Sequence, residues 1–283
     1  MQAIQIRRGN FSVFMRSSQS VISTKEIALK IYGERNTGTN YLAALAELNL
    51  CAKVLPGRVA DNDMLTQVTR RLSRYLPHLG RKWHEAARDR FFEATFSDNL
   101  GWKHMNPNPA RIGQEALASV RFLMVIKNPY AWLLSLHQRP YHVGVRDGSF
   151  EHFLTRRLPV MEQRENIGSD ALTAIEVWNR KVQGYIQLQD VASHAVIMRY
   201  EDFLVDEITA LHTVATKLGI AIRDRHIPVS EGVKQADTKI SHSDYASYYL
   251  KERWRERLSP EALGIINSSL DQEAVKQFSY QVI

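Results

Sequence analysis

The sequence predicts a three-layer α/β fold, with helices on both faces of a mainly parallel central sheet. Three observations carry the prediction. Apolar runs of strand length lie near 27–31, 121–127 and 195–200, each ending in turn or polar residues. Stretches of helical period separate them, which is the alternation of a parallel sheet with crossover helices. The residues that end the runs are those that bind ligands at the carboxyl edge of such sheets.

Length and composition agree with this class. A chain of 283 residues can bury a large core as one domain, or one with a sizeable subdomain. With 44% hydrophobic and 24% charged residues, it reads as an ordinary soluble globular protein. No apolar run approaches the roughly 20 residues of a membrane helix. The single cysteine, Cys51, rules out an intramolecular disulfide and fits a reducing compartment, so the expected location is cytoplasmic. Among apolar neighbours it reads as core. A net charge of +7 suits an anionic ligand or acceptor, and suits nucleic acid equally. Residues 1–25 carry Arg7, Arg8, Arg16 and Lys25 with several serines and no acid. That composition resembles an organelle transit segment without the apolar core of a secretory signal. It fits a short strand or a flexible lead-in as well, and the plainer reading is preferred.

The first strand, with Ile27, Leu29 and Ile31 on one side, runs into a turn bracketed by Gly33 and Gly38. The turn opens an amphipathic helix carrying Leu42, Leu45 and Leu48. Strand, Gly-x-x-x-x-Gly-Thr, helix is the layout of a phosphate cradle, where backbone N–H groups and the positive helix end converge on an anion. The architecture expected is therefore like that of P-loop nucleotide triphosphatases. Their loop continues Gly-Lys-Ser/Thr, whereas Gly38 is followed here by Thr39 and Asn40, so the lysine that holds β- and γ-phosphates is missing. Ordinary βα turns also contain glycine and threonine; the flanking strand and helix favour the anion site.

Residues 52–55 read as a short strand, turned by Pro56-Gly57. The segment 61–96 is rich in helix formers, and Arg70, Arg71, Arg74, Arg81, Lys82, Arg88 and Arg90 outnumber its acids. It reads as a solvated helical face, or as the lining of an acceptor cleft. Leu100-Gly-Trp-Lys-His-Met-Asn-Pro107 is a short element stopped by Pro107 and Pro109. A helical stretch at 114–120 precedes Arg121-Phe-Leu-Met-Val-Ile-Lys127, a strand buried on both faces. Asn128-Pro129 breaks it, and Pro129 suits the first turn of a helix over 130–137. Residues 138–170 show no sustained period and read as a long loop with short helical pieces. Ile175, Trp178, Val182, Tyr185 and Ile186 give a helix over 171–188 one buried face. The strand at 195–200 leads into Tyr200-Glu-Asp-Phe203, a helix over 206–218 closes on Gly219, and helices near 244–257 and 260–277 follow a mobile-looking stretch at 228–243.

Three strand ends thus share one edge: Gly33 to Thr39, Lys127-Asn-Pro-Tyr130 and Tyr200-Glu-Asp202. Together with Lys103-His104 they resemble the sulfotransferase family, whose donor is 3′-phosphoadenosine-5′-phosphosulfate. That family has a Lys-Ser-Gly-Thr-Thr type loop for the 5′-phosphosulfate. Its 3′-phosphate motif is an apolar strand, Arg-Asn/Asp-Pro, and a serine eight residues after the arginine. Here Phe122-Leu-Met-Val-Ile-Lys-Asn-Pro-Tyr-Ala-Trp-Leu-Leu-Ser135 places Ser135 eight residues after Lys127. His104 precedes Lys127 by 23, near where the family carries its catalytic histidine in a Lys-x-His-x-Pro type segment. Tyr200-Glu-Asp-Phe is similar to the family's Tyr-Glu-Asp-Leu, whose tyrosine faces adenine. Trp254 and Leu258-Ser-Pro-Glu resemble late helices of many members. The likeness covers roughly 27–280, unevenly.

The departures are specific. The loop lysine falls on Asn36, with Arg35 one residue earlier. Lys127 replaces arginine, keeping the charge and losing bidentate geometry. Lys103 directly precedes His104. The catalytic glutamate of glycosaminoglycan-type members aligns with Ala44, and Glu47 lies one turn on.

The resemblance implies one domain over 26–283, with acceptor-side insertions at 56–100 and 138–170. It implies sulfuryl transfer to a hydroxyl or amine, with His104 as base and Arg35 or Lys103 as cations at the transferring group. Donor contacts would come from Arg35, Asn36, Thr37, Gly38, Thr39, Asn40, Lys127, Ser135 and Tyr200. No metal is expected, and histidine spacing suggests none. The acceptor is unidentified, with a saccharide favoured by the basic, polar insertions. A P-loop kinase stands second, for want of the loop lysine. An inactive nucleotide-binding member and a nucleic-acid binder are the remaining alternatives.

Overall fold

The structure is a computed structural model that describes residues 26–139, 148–158, 163–168, 171–229 and 242–283. The lead-in at 1–25, most of the stretch 228–243 and parts of the loop 138–170 lie outside the described residues.

Four parallel strands form one sheet in the order β2-β1-β3-β4. They are β1 (Ala28–Gly33), β2 (Lys53–Val54), β3 (Arg121–Ile126) and β4 (Ala195–Arg199). Helix α1 (Thr39–Asn49) returns β1 to β2. Between β2 and β3 the chain makes α2 (Met64–Tyr75), α3 (Pro77–Ala94), α4 (Phe96–Asn99), α5 (Pro109–Ile112) and α6 (Gln114–Ser119). Helices α7 (Pro129–Gln138), α8 (Phe150–Thr155) and α9 (Ala174–Val191) lie between β3 and β4. After β4 come α10 (Tyr200–Val205), α11 (Glu207–Leu218), α12 (His242–Leu250), α13 (Pro260–Ser269) and α14 (Gln272–Gln277). Right-handed crossovers leaving β1 for β2 and β3 for β4 run in opposite directions, so α1 and α9 cover opposite faces. The order reverses between β1 and β3. The crevice outside their carboxyl ends is where such sheets bind ligands.

The strands form because their apolar residues are buried on both faces: Leu29, Ile31 and Tyr32 in β1, and the run Phe122 to Ile126 in β3. Each such side chain contributes about 1.5–3 kcal/mol on burial. Register is continuous across the site, with Gly33 beside Val125 and Ile126 beside Arg199. Capping sets the helix ends. Asn128 caps α7 by accepting from Tyr130 and Ala131 N–H, with Pro129 in the first turn. Thr173 and Glu176 form a capping box that starts α9 at Ala174. Gly219, left-handed at φ 62, ends α11.

Several expectations are corrected. Leu48 is 36% exposed; the buried side of α1 carries Leu42, Leu45, Ala46 and Asn49. Asn49 is accommodated there by hydrogen bonds with Leu45 and Ile227. Cys51 is exposed rather than core, because its neighbours Leu50 and Ala52 take the inward positions. The strand expected through residue 200 stops at Arg199, and Tyr200 opens α10. The late helices are each divided: at Glu252, left-handed at φ 49, where a 3-10 turn follows, and at Asp271, which caps α14.

Candidate anion site at the strand ends

The turn after β1 is built around close approach. A Cβ on Gly33 would lie 2.8 Å from Thr37 Oγ1 and 3.0 Å from the Val125 carbonyl. Asn36 and Gly38 are both left-handed, at φ 65 and 74, which curls the intervening N–H groups into a concavity suited to an anion. Thr37 closes the turn: its N–H and hydroxyl both donate to the Glu34 carbonyl, at 3.2 and 2.5 Å. No side chain caps α1, and its first turn holds no acid. The positive end of an eleven-residue helix therefore faces the crevice with no anion of the described residues upon it.

Lys127, at the end of β3, is 1% exposed. Its Nζ lies 3.2 Å from Ser135 Oγ, on the second turn of α7. It also lies 3.8 Å from the Tyr249 ring centre and 5.3 Å from that of Tyr200. No carboxylate pairs with it among the described residues. Tyr200 itself packs on the loop, where a Cβ on Gly38 would meet its ring at 2.7 Å. The Asn36 side-chain amide reaches to within 3.5 Å of the Ser135 carbonyl. The structure thus brings Asn36, Gly38, Lys127, Ser135 and Tyr200 into one cluster.

Residues 99–104 run beside the upper half of β1, an edge the two-residue β2 leaves open. Lys30, fully buried in β1, donates to the carbonyls of Asn99 (2.5 Å), Gly101 and Pro56 (3.2 Å). Tyr32, on the same side of the strand, donates its O–H to the Leu100 carbonyl at 2.5 Å. Burial, and then Lys103, hold the Lys30 ammonium well below its ordinary pKa; its three donors meet three carbonyls instead of a carboxylate. The Gly33 N–H then bonds the Lys103 carbonyl at 2.9 Å. The Lys103 side chain engages Asn40 in the first turn of α1.

His104 is fixed from two sides. Its Nδ1 lies 2.6 Å from the Gly33 carbonyl, which only accepts, so Nδ1 carries the proton and Nε2 keeps its lone pair. Lys181 donates to the His104 carbonyl and pairs with Glu34 at 3.2 Å. Burial, and then the charges of Lys103 and Arg35, hold the imidazole well below the usual histidine pKa. It is neutral at pH 7.

Arg35 points elsewhere. Its guanidinium pairs with buried Glu165 at 2.8 Å and stacks on Trp102 at 4.6 Å, while its carbonyl accepts from Trp132 Nε1 at 2.8 Å. Trp102 also meets the His104 ring edge to face at 5.0 Å. Trp178 Nε1 donates to the Lys127 carbonyl at 3.3 Å. The tryptophans thus hold the backbone of both cation-bearing turns from within the core. Glu201 is likewise structural, accepting from Asn128 N–H and Tyr280 O–H. Glu47 is exposed on α1.

Lys30, Lys181 and Tyr249 belong to this region and were not among the residues read from sequence. A lysine inside the apolar run Ile-Ala-Leu-Lys-Ile-Tyr was a signal for Lys30. Lys181 stands three residues from Trp178 and four from Tyr185, on the stripe that predicts the buried face of α9. Tyr249 carries no comparable signal.

No family model matches the chain, and no curated protein matches it. Over most of its length it is structurally similar to solved sulfotransferase domains at low identity. One is the sulfotransferase domain from the curacin biosynthetic pathway, with TM-score 0.40 and 13% identity, covering 91% of this chain and 99% of that one. Another is the sulfotransferase domain from the Synechococcus PCC 7002 olefin synthase, with TM-score 0.39 and 11% identity, covering 86% and 94%. Likeness at that level leaves the chemistry to be argued from the residues.

Proposed function

We propose that the chain is a sulfotransferase that takes its sulfuryl group from 3′-phosphoadenosine-5′-phosphosulfate. One observation supports this above the others. Among the described residues, Lys127 is a buried ammonium with no carboxylate partner, set beside a loop whose helix end carries no acid either. Burying an unpaired charge is costly, and a bound phosphate would supply its missing partner. Two separate cationic features, one at each strand end, match a ligand with two separate phosphates better than they match a triphosphate chain.

In this reading Lys127 and Ser135 hold the 3′-phosphate, and the N–H groups of the 36–40 turn receive the 5′-phosphosulfate. Tyr200 and Tyr249 wall the site between them. Lys103, beside Asn40 at the α1 terminus, offsets charge on the transferring group and on the leaving phosphate oxygen. Nε2 of His104 takes the acceptor's proton as the new S–O bond forms and the bond to the phosphate oxygen breaks. Arg35, committed to Glu165, shapes the loop and lowers the pKa of His104 from within.

Calorimetric titration with adenosine 3′,5′-bisphosphate, run beside ATP with Mg²⁺, tests the reading. Tight binding of the bisphosphate alone supports it. A preference for ATP moves the assignment to a kinase, and binding of neither ligand removes the nucleotide site.

A further inference from the structure

Helices α2 and α3 form a hairpin whose polarity is inverted. The seam between them is made of small and polar groups. Thr69 is buried and its Oγ1 lies 3.3 Å from His84 Nδ1. Gly80 sits so close that a Cβ there would come within 2.6 Å of the Ser73 backbone. The large apolar side chains face outward. Met64 is 77% and Tyr75 82% exposed, and Leu65, Val68 and Leu72 are exposed with them. On α3, Leu79 and Trp83 are exposed one turn apart. Eight of the fifteen exposed large apolar side chains among the described residues fall between 64 and 83, so this is a local patch rather than a property of the whole surface.

At about 100° per residue, α2 divides into three sectors. Met64, Tyr75, Val68, Leu72 and Leu65 span an apolar arc of about 100°. Thr69, Ser73 and Thr66 follow it and face α3. Arg70, Arg74, Gln67 and Arg71 complete the circle. In α3 the arc of Leu79 and Trp83 also precedes the sector of Ala87, Gly80 and His84 that faces α2. In an antiparallel pair that shared order puts both apolar arcs on one side of the hairpin. From 64 to 84 the chain holds five arginines and lysines and no acid.

We propose that this hairpin lies in the surface of an anionic lipid bilayer, with its apolar arc among the acyl chains and its arginines at the headgroups. A strongly amphipathic helix of low mean hydropathy, basic on its polar face and carrying exposed Tyr and Trp, has the form of an interfacial helix. The charge decides between occupants. A second copy of this chain would set one arginine cluster against another. A nucleic acid would satisfy the arginines and leave the apolar arc in water. Anionic lipid satisfies both. The hairpin leaves and rejoins the chain at the site, since Gly57 packs on Lys103 and Asn99 bonds Lys30. Docking would hold the crevice near the membrane.

The test uses the full chain and needs neither donor nor acceptor, so its outcome is independent of the transfer reading. Cosedimentation is measured with vesicles of phosphatidylcholine alone and of phosphatidylcholine with phosphatidylglycerol in equal parts. Binding should require phosphatidylglycerol. Replacing Arg70, Arg71 and Arg74 together by Gln should weaken it about a hundredfold. The triple change Val68→Ser, Leu72→Ser and Tyr75→Ser should weaken it at least about tenfold, with thermal melting unchanged because all three side chains are exposed. Equal pelleting with both vesicle types, or triple variants that bind like the parent, would overturn the proposal. So would a dimer that the serine variant converts to monomer, which would make the face a self-interface. Binding to a duplex oligonucleotide that survives the serine changes would assign the arc to nucleic acid and overturn it equally.

Discussion

Replacing Lys127 by Met separates ligand binding from stability, because only ligand binding should be weakened. In the protein without ligand, the ammonium has a hydroxyl at 3.2 Å and two aromatic rings around it. Those contacts return about 0.5–2 kcal/mol each at best. Against them stands a desolvation cost of several kcal/mol for a buried ion. Methionine has a similar length and no charge, so Lys127→Met should leave the melting temperature unchanged or raise it. With a phosphate bound, the ammonium makes a charge-assisted hydrogen bond of about 1.5–3 kcal/mol, and loss of that bond is a ten- to hundredfold weakening. Titration with adenosine 3′,5′-bisphosphate should show this weakening. Titration with adenosine 5′-monophosphate, which lacks the 3′-phosphate, should show none. Equal losses for both ligands would mean that Lys127 does not read the 3′-phosphate. A large fall in melting temperature would mean that its charge is structural.

Other expectations concern the neighbouring groups. His104→Ala should lower turnover at least about a hundredfold with bisphosphate affinity unmoved. Since burial and two nearby cations depress the folded-state pKa of His104, its base form persists below pH 6.5; kcat/KM should stay level through 6.5 and fall only at lower pH. An inflection at the ordinary histidine value would contradict the assignment. Linkage has the same sign: below pH 6.5 the unfolded chain binds the proton that folded His104 refuses, so this group's share of stability declines as pH falls. Lys30→Met strands the buried carbonyls of Asn99 and Gly101. Set against the relieved desolvation, it should cost about 2–4 kcal/mol in denaturant unfolding, and an unchanged midpoint would remove Lys30 as the anchor. Gly38→Ala, at φ 74 and with the Tyr200 ring 2.7 Å from the new methyl, should weaken bisphosphate binding. Gly264→Ala, in a helix with nothing within 4 Å, serves as its control and should stabilise by about 0.5–1 kcal/mol.

What the sequence disclosed follows the range of the interactions involved. The strands β1, β3 and β4, the Gly33 to Gly38 turn and the starts of α1 and α7 are set by periods, caps and glycines a few residues apart. All of these are legible locally. The separation of Lys127 from Ser135 survives because a strand end and the second turn of the next helix are rigidly joined. Arg35 shows the limit of such reading. Its charge and place in the loop suggested a ligand contact, yet Glu165, 130 residues away, draws the guanidinium inward. Nothing near Arg35 announces that pairing. Cys51 departs from expectation for a simpler reason, since apolar neighbours in sequence say little about direction when side chains alternate. The charges of the α2–α3 hairpin point to a solvated basic face or a cleft lining and say nothing of an apolar arc. The outward position of Val68, Leu72 and Trp83 depends on which sector packs, and the small residues of the seam decide that.

The grip of Lys30 has one more consequence. Pro56 and Asn99, the two places where the chain departs from the sheet and comes back, both accept through their carbonyl oxygens from the same nitrogen. The forty-odd residues between them form a cassette clasped at its neck by Lys30 and by the Lys103 N–H on the Gly57 carbonyl. Lengthening such a cassette at its tip, around Leu76 and Pro77, costs little in closure entropy, about 0.6 kcal/mol per doubling. A fold arranged this way can exchange the surface it shows to its surroundings while its strand ends stay in register.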